Sequence, residues 1–142
     1  KCAWVCRHYA EHTAAYLAPR TTDTDGSRSF VRYDPLGVVL SIMPWNFPFW
    51  QVVRFAAPAI TAGNAILLQH APCVPGCAEA LETLFADAGY PAGLFANLFI
   101  DVEATGEVID HELVRAVRPR RGGPVRSRMI RPGCSAPGER SA

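Results

Sequence analysis

Pro44-Trp45-Asn46-Phe47-Pro48 sets one amide and two aromatics between two prolines. Each proline fixes φ, so the residues between them sit on a stiff turn. The amide of Asn46 is a neutral N–H donor. Aimed at an oxygen that gains negative charge, such a donor lowers a barrier by about 2.7–4 kcal/mol. An asparagine in a turn can instead bond its own backbone. Arg54 follows six residues after Pro48, among the apolar Val52, Val53, Phe55, Ala56 and Ala57. Its planar guanidinium suits a carboxylate gripped through two parallel bonds. The other reading is an arginine whose head reaches the surface past an apolar stem. Phe47 and Trp50, on the same stretch, are either walls of an apolar channel or core residues.

These residues need an element to hold them. Val38 to Met43 is an apolar run long enough for one buried strand. It breaks at Pro44 and re-enters a helical pattern over Phe49 to Ala62, which Pro58 must kink or break. A strand that ends in a turn and feeds a helix is where α/β proteins place ligands. Ile42, Met43, Pro44 and Trp45 stand at the carboxyl end of that strand.

The alternation continues. Gly63-Asn64 stops the helix. Ala65 to Leu68 reads as a second strand and Val74 to Ala88 as a second helix, with Pro75 in its first turn and Leu81, Leu84 and Phe85 on its apolar face. Leu94 to Ile100 reads as a third strand, Asp101 to Asp110 as a third helix and Leu113 to Val117 as the start of a fourth strand. Strands alternating with helices predict a parallel sheet with right-handed crossovers. Before this part, residues 1–18 read as a helix ended by Pro19, residues 20–28 as a polar connector with a turn at Asp25-Gly26, and residues 29–33 as a strand. The chain thus divides into an amino-terminal helix and strand (1–35), a partial α/β domain (36–117) and a tail (118–142).

A chain of 142 residues can bury one core. No apolar run reaches the roughly 18–20 residues of a membrane helix, which argues against a membrane partner. No secretory h-region follows Lys1, and the five cysteines are an odd number, so we expect reduced thiols and a cytoplasmic location. The absence of Met at position 1 suggests a fragment. Cys2/Cys6 and Cys73/Cys77 are each spaced i, i+4, and His8, Glu11 and His12 share a helix face. Both groupings invite a metal. Structural zinc sites prefer tighter cysteine pairs, so we read small buried residues and a solvated face, and expect no metal.

From Arg118 onward the composition changes. Seven arginines face one acid, Glu139, with four prolines, four glycines and no Leu, Phe, Trp or Tyr. Such a segment cannot build a core and reads as a basic, disordered tail or the product of a shifted reading frame. As a basic arm it would contact polyanions, but no aromatic accompanies the charge, which argues against nucleic acid as a partner.

Four motifs together carry a family likeness. Pro44-Trp45-Asn46-Phe47-Pro48, then Phe55-Ala-Ala-Pro-Ala-Ile-Thr-Ala-Gly-Asn64, Leu67-Leu-Gln-His-Ala71 and Ala88-Gly-Tyr-Pro-Ala-Gly93 resemble, in order and spacing, the aldehyde dehydrogenase superfamily, and within it the succinate-semialdehyde dehydrogenases. The likeness runs from Lys1 to about Val117. It implies an aldehyde dehydrogenase-like α/β fold, here an incomplete, Rossmann-like parallel sheet with flanking helices. It implies NAD(P)-dependent oxidation of an aldehyde, with succinate semialdehyde favoured, by a thiol adduct, hydride transfer and hydrolysis. It assigns Asn46 as oxyanion donor, Arg54 as the grip on the distal carboxylate, Phe47 and Trp50 as channel walls, and Ile42, Met43, Pro44, Trp45 and Gln69 as the cofactor wall. The family's usual lysine is Gln69 here, which offers a ribose hydroxyl a partner but no charge to a 2′-phosphate, and so favours NAD over NADP. The family binds its cofactor without a G-x-G-x-x-G, and none is present. The likeness also implies a homo-oligomer, with the strand near residues 29–33 on its assembly surface. The family's nucleophilic cysteine and general-base glutamate lie downstream of the matching region, so this chain alone is expected to be inactive. The alternative is a non-catalytic binding or assembly protein with a basic tail.

Overall fold

The computed structural model describes residues 1–118. Ten elements follow in order: α1 (Cys2–Tyr16), β1 (Arg20–Thr21), β2 (Phe30–Val31), β3 (Val38–Met43), α2 (Pro48–Thr61), β4 (Ala65–His70), α3 (Pro75–Asp87), β5 (Phe95–Asn97), α4 (Val102–Asp110) and β6 (Val114–Arg118). Strands β3 to β6 form one parallel sheet in the order β5-β4-β3-β6. Counted from β3, this is the 3-2-1-4 order of a doubly wound α/β fold. The chain winds outward from β3 to β5, then returns across the sheet to β6. Right-handed crossovers put α2 and α3 on one face and α4 on the other.

Pairing residues of parallel strands share a face. Met43, Ile66, Leu68 and Phe95 pack with Val52, Val53, Ala56, Ala57 and Ile60 of α2 and with Ala78, Leu81 and Phe85 of α3. Each large side chain so buried contributes about 1.5–3 kcal/mol. The Phe85 ring stacks on Phe95 at 4.4 Å. Leu84 does not join them: the sheet-facing stripe of α3 is Ala78, Leu81 and Phe85, and Leu84 points outward. Helix α1 lies along α2 and inserts Val5 into the same core, with Cys2 and Tyr9 beside it.

Element bounds differ from the sequence reading in four instructive places. Helix α2 runs through Pro58 without a break. The proline denies the Arg54 carbonyl its helical donor, yet Ala56, Ala57 and Ile60 around it are anchored in the core. Arg20–Thr21, inside the expected polar connector, pairs antiparallel with Phe30–Val31 as a small hairpin outside the main sheet. Strand β5 keeps three residues of the seven expected. Arg118, given above to the tail, is the last residue of β6 and pairs with Ser41. The remaining tail, with its expected disorder or frame shift, lies outside the described residues.

Asn64 ties the base of this architecture together. It is buried, and its Oδ1 accepts the backbone N–H of Leu36 at 2.7 Å and of Gly37 at 3.2 Å. Its Nδ2 donates to the Ala59 carbonyl at 3.0 Å. One side chain thus joins the entry to β3 with the last turn of α2. Gly63 beside it has φ +88°, with Pro35 packed where a Cβ would stand, so glycine suits both the backbone and the space.

Candidate active-site segment

In the 3-2-1-4 order, β3 leads outward on one side and β6 is reached from the other. The carboxyl ends of these neighbours therefore bound the crevice where doubly wound folds bind ligands. The turn Pro44–Phe47 emerges from β3 at that crevice.

Phe47 has φ 54° and ψ 58°, a left-handed conformation, and is the only non-glycine residue with positive φ among the described residues. A bulky residue there is a steric outlier. The following proline restricts it further. Strain of this kind costs about 1–3 kcal/mol and persists where the surroundings impose it. Here Phe47 is the N-cap of α2, its carbonyl accepting from Gln51 N–H at 2.9 Å. Pro48 fills the first helical position, where no N–H is needed. The Pro48 carbonyl lies 3.2 Å from His70 Nε2, at the end of β4. Burial lowers the His70 pKa, and the Pro48 bond opposes that shift.

The residues between the prolines are presented outward. Trp45 is 57 % and Phe47 70 % exposed. Asn46 is exposed and makes no hydrogen bond within the described residues, so the self-bonded turn form is not the one adopted. Met43 is 3 % exposed and belongs to the core under α2; only its backbone reaches the crevice. Ile42 and Pro44 are half-buried. Trp50 packs at the core edge beneath the Lys1 ammonium, 4.5 Å from its ring centroid. Arg54 is exposed and donates to Gln51 Oε1 at 3.0 Å. It stands about 9 Å along the helix axis from Pro48, at 1.5 Å per residue.

Gln69, one residue before His70, points to the opposite face of the sheet. Its Nε2 donates to the Ile100 carbonyl at 3.3 Å, and its Oε1 is buried without a partner. On β5, Asn97 donates through Nδ2 to Ala78 O at 2.6 Å and to Glu82 Oε2 at 2.9 Å. The four described cysteines are free. His8 Nε2 meets the Tyr16 hydroxyl at 3.1 Å, and His12 Nδ1 meets the His8 carbonyl at 2.8 Å. Among the described residues no three His, Cys, Asp or Glu side chains converge as a metal site, and no helix is long and apolar enough to cross a membrane.

Sequence reasoning gave His70 and Arg118 no role in positioning the turn or the helix, and gave Asn64 only a part in ending the helix. For His70 a signal existed: strand alternation puts it on the face of Leu68, beneath the start of α2. For the left-handed Phe47 there was none, since phenylalanine is among the residues least suited to that backbone.

The sequence profile described as the aldehyde dehydrogenase family matches residues 1–120. The chain belongs to that family. It is 52 % identical over 116 residues to a protein named probable succinate-semialdehyde dehydrogenase [NADP(+)] from Synechocystis, covering 82 % of this chain and 26 % of that one. It is 44 % identical over 117 residues to the succinate semialdehyde dehydrogenase [NAD(P)+] of Escherichia coli, covering 82 % of this chain and 25 % of that one. Among solved structures, the succinic semialdehyde dehydrogenase of Streptococcus pyogenes in complex with NADP+ superposes with a TM-score of 0.79 at 34 % identity, over 82 % of this chain and 26 % of that one. The chain spans about a quarter of the length of these relatives. The partial parallel sheet is therefore an aldehyde dehydrogenase sheet.

A dinucleotide would suit this aldehyde dehydrogenase segment in two respects. The exposed Trp45 offers a flat apolar surface at the switch point, and the orphaned Gln69 Oε1 has the unmet need that a hydroxyl donor fills. Ile42 to Trp45 and Gln69 supply no positive charge.

Proposed function

We propose that this segment belongs to the NAD(P)-binding part of an aldehyde dehydrogenase that oxidises succinate semialdehyde. The observation that carries this reading is the exposed, unbonded Asn46 on a strained turn at the carboxyl end of β3. A donor held ready costs little reorganisation when charge develops on the substrate oxygen. Asn46 stabilises that oxyanion, and Arg54 holds the distal carboxylate. Phe47 and Trp50 flank the aldehyde, Phe47 by its exposed ring and Trp50 from the core edge. The backbone of Ile42 to Pro44, the Trp45 ring and Gln69 would hold the cofactor, which accepts a hydride when bound. Gln69 favours NAD because it brings no charge to a 2′-phosphate; the names of the relatives, which include NADP(+), point the other way. The ratio of the two specificity constants decides between them.

The protein is cytoplasmic in this reading, in keeping with its free described thiols. The exposed Phe30, Val31, Tyr33 and Leu36 on and beside the β1–β2 hairpin suit an assembly surface with further copies. In this reading the chain alone is inactive, because the family likeness puts the nucleophile and the general base downstream of the matching region.

The test is a chimera in which residues 1–117 replace the matching segment of the Synechocystis relative. Turnover of succinate semialdehyde with NAD(P)+ is expected, and loss of turnover in a folded, cofactor-binding chimera sinks the reading. The alternative, a binding protein with a basic tail, rests on residues outside those described. Polyanion binding by the intact chain, without a melting shift on adding NAD, would favour it.

A further inference from the structure

One face of α1 carries a ladder of rings for which the aldehyde reading has no use. Trp4, His8, His12 and Tyr16 recur every four residues, so they stand one above another along the helix. The His8 and His12 rings have centroids 4.5 Å apart and planes 19° from parallel. Trp4 stacks on His8 at 5.7 Å. Tyr16 stands 6.0 Å from each imidazole, and its hydroxyl meets His8 Nε2 at 3.1 Å. His12 donates from Nδ1 to the His8 carbonyl at 2.8 Å. A carbonyl only accepts, so the proton of the neutral ring sits on Nδ1 and Nε2 keeps its lone pair. Metal-held histidines are fixed by the same kind of outer bond. Trp4, His12 and Tyr16 are exposed and His8 is half-buried.

We propose that His8 and His12 form a surface site for a divalent late transition ion such as Ni²⁺ or Zn²⁺. Two histidines at i, i+4 on one helix face are the spacing by which helices hold zinc, and His8-Tyr9-Ala10-Glu11-His12 has the H-x-x-E-H pattern. With the Tyr16 hydroxyl as donor, His8 Nε2 also presents a lone pair, which the ion takes as the hydroxyl turns away. Each Nε2 then stands about 2.0–2.1 Å from the ion, and water fills the other positions. Trp4 and Tyr16 bracket the pair, so the imidazoles lose less freedom on binding than free side chains would. Imidazole suits nickel and zinc, whereas Mg²⁺ prefers carboxylate and water. Among the described residues no third His, Cys, Asp or Glu joins the pair, so Glu11 is not a ligand. Spacing alone read this face as solvated; the ordered ring geometry is what favours the chelate. The site lies on α1, away from the Pro44–Phe47 turn in sequence, and stands or falls independently of the aldehyde reading.

The experiment uses the intact chain at about pH 8, above the usual imidazole range. It is titrated with Ni²⁺, Zn²⁺ and Mg²⁺ and followed by calorimetry and by the imidazole resonances. Paramagnetic Ni²⁺ is expected to broaden His8 and His12 before His70 and His111. Zn²⁺ should shift the first two in a saturable, one-to-one manner, and Mg²⁺ should do neither. His8→Gln and His12→Gln should each weaken Zn²⁺ at least about tenfold. These changes lie on a face that does not enter the core, and circular dichroism checks that the helix persists. A control carries His12→Gln together with Ala14→His, which keeps four histidines but puts the new one on another face of α1. It should bind as weakly as His12→Gln alone. The free thiols and the amino terminus are the rival ligands. Parent-like Zn²⁺ affinity in the folded single variants assigns the ion to those rivals and overturns the proposal. Parent-like affinity in the control, or equal broadening of all four histidines, overturns it as well, since neither needs a chelate.

Discussion

The His70 imidazole donates from Nε2 to the carbonyl of Pro48 at 3.2 Å, so the end of β4 holds the start of α2. The Ala71 N–H donates to Nδ1 of the same ring at 2.9 Å, which fixes the neutral tautomer with its proton on Nε2. Burial lowers the pKa below the ordinary 6.5. The unfolded chain therefore takes up a proton that the folded chain resists. This contribution to stability is fully present above pH 6.5, declines as pH falls through the lowered folded value, and levels off below it. Urea midpoints measured between about pH 8 and pH 5 should show that decline. His70→Gln, which can still donate to Pro48, should remove that component while changing stability at about pH 8 by about 1 kcal/mol or less.

Phe47→Gly should stabilise the fold. Glycine adopts φ 54° without steric cost, and the ring it removes is 70 % exposed. Released strain of about 1–3 kcal/mol is partly offset by the larger entropy of an unfolded glycine, which leaves a gain of about 1 kcal/mol. A raised melting temperature checks this. In the chimera the same change should lower turnover, because the turn that aims Asn46 then has other conformations open to it.

Asn64→Ala removes the acceptor for Leu36 and Gly37 and the donor for Ala59 at a site 7 % exposed. Orphaned buried backbone groups cost about 1–3 kcal/mol each, and partial relaxation is expected. The loss should be about 3 kcal/mol by denaturant titration. A loss near zero would mean that water replaces the side chain.

Within the chimera, Asn46→Ala should lower kcat about 10²–10³-fold with KM little changed, the mark of a donor that acts in the transition state. Arg54→Gln should lower kcat/KM for succinate semialdehyde at least about tenfold and leave butyraldehyde unaffected. Equal losses for both aldehydes would place Arg54 in folding rather than in recognition.

The alternation of strands and helices was legible because burial imposes it. Parallel strands covered on both faces read as apolar runs such as Val38–Met43 and Ala65–Leu68, and α2 and α3 carry their core stripes openly. The spatial order was not legible: that β6 returns to β3 rather than extending beyond β5 depends on crossover handedness and on no local signal. At Asn46 and Arg54 residue type and spacing left two readings open each, and the family likeness supplied the roles proposed above. The support of the site was less legible. Met43 looked like a lining residue from its position in the chain, but the pleat turns its side chain into the core. Gln69 and His70 are neighbours in sequence and fall on opposite faces, so only the second could brace the turn. Arg118 resembled tail composition, and only pairing with Ser41 reveals it as strand.

The pairing of β3 with β6 also has a consequence for synthesis. Among the described strands of the parallel sheet, the two that bound the crevice are the first and the last to leave the ribosome. Everything between them can wind outward onto β3 as it emerges. Until Val114 to Arg118 arrives, the flank of β3 remains an open strand edge beside an apolar turn, able to pair with another chain. A pause in translation before that point would hold these strands in an adhesive form, and the crevice would be the last of the described features to exist.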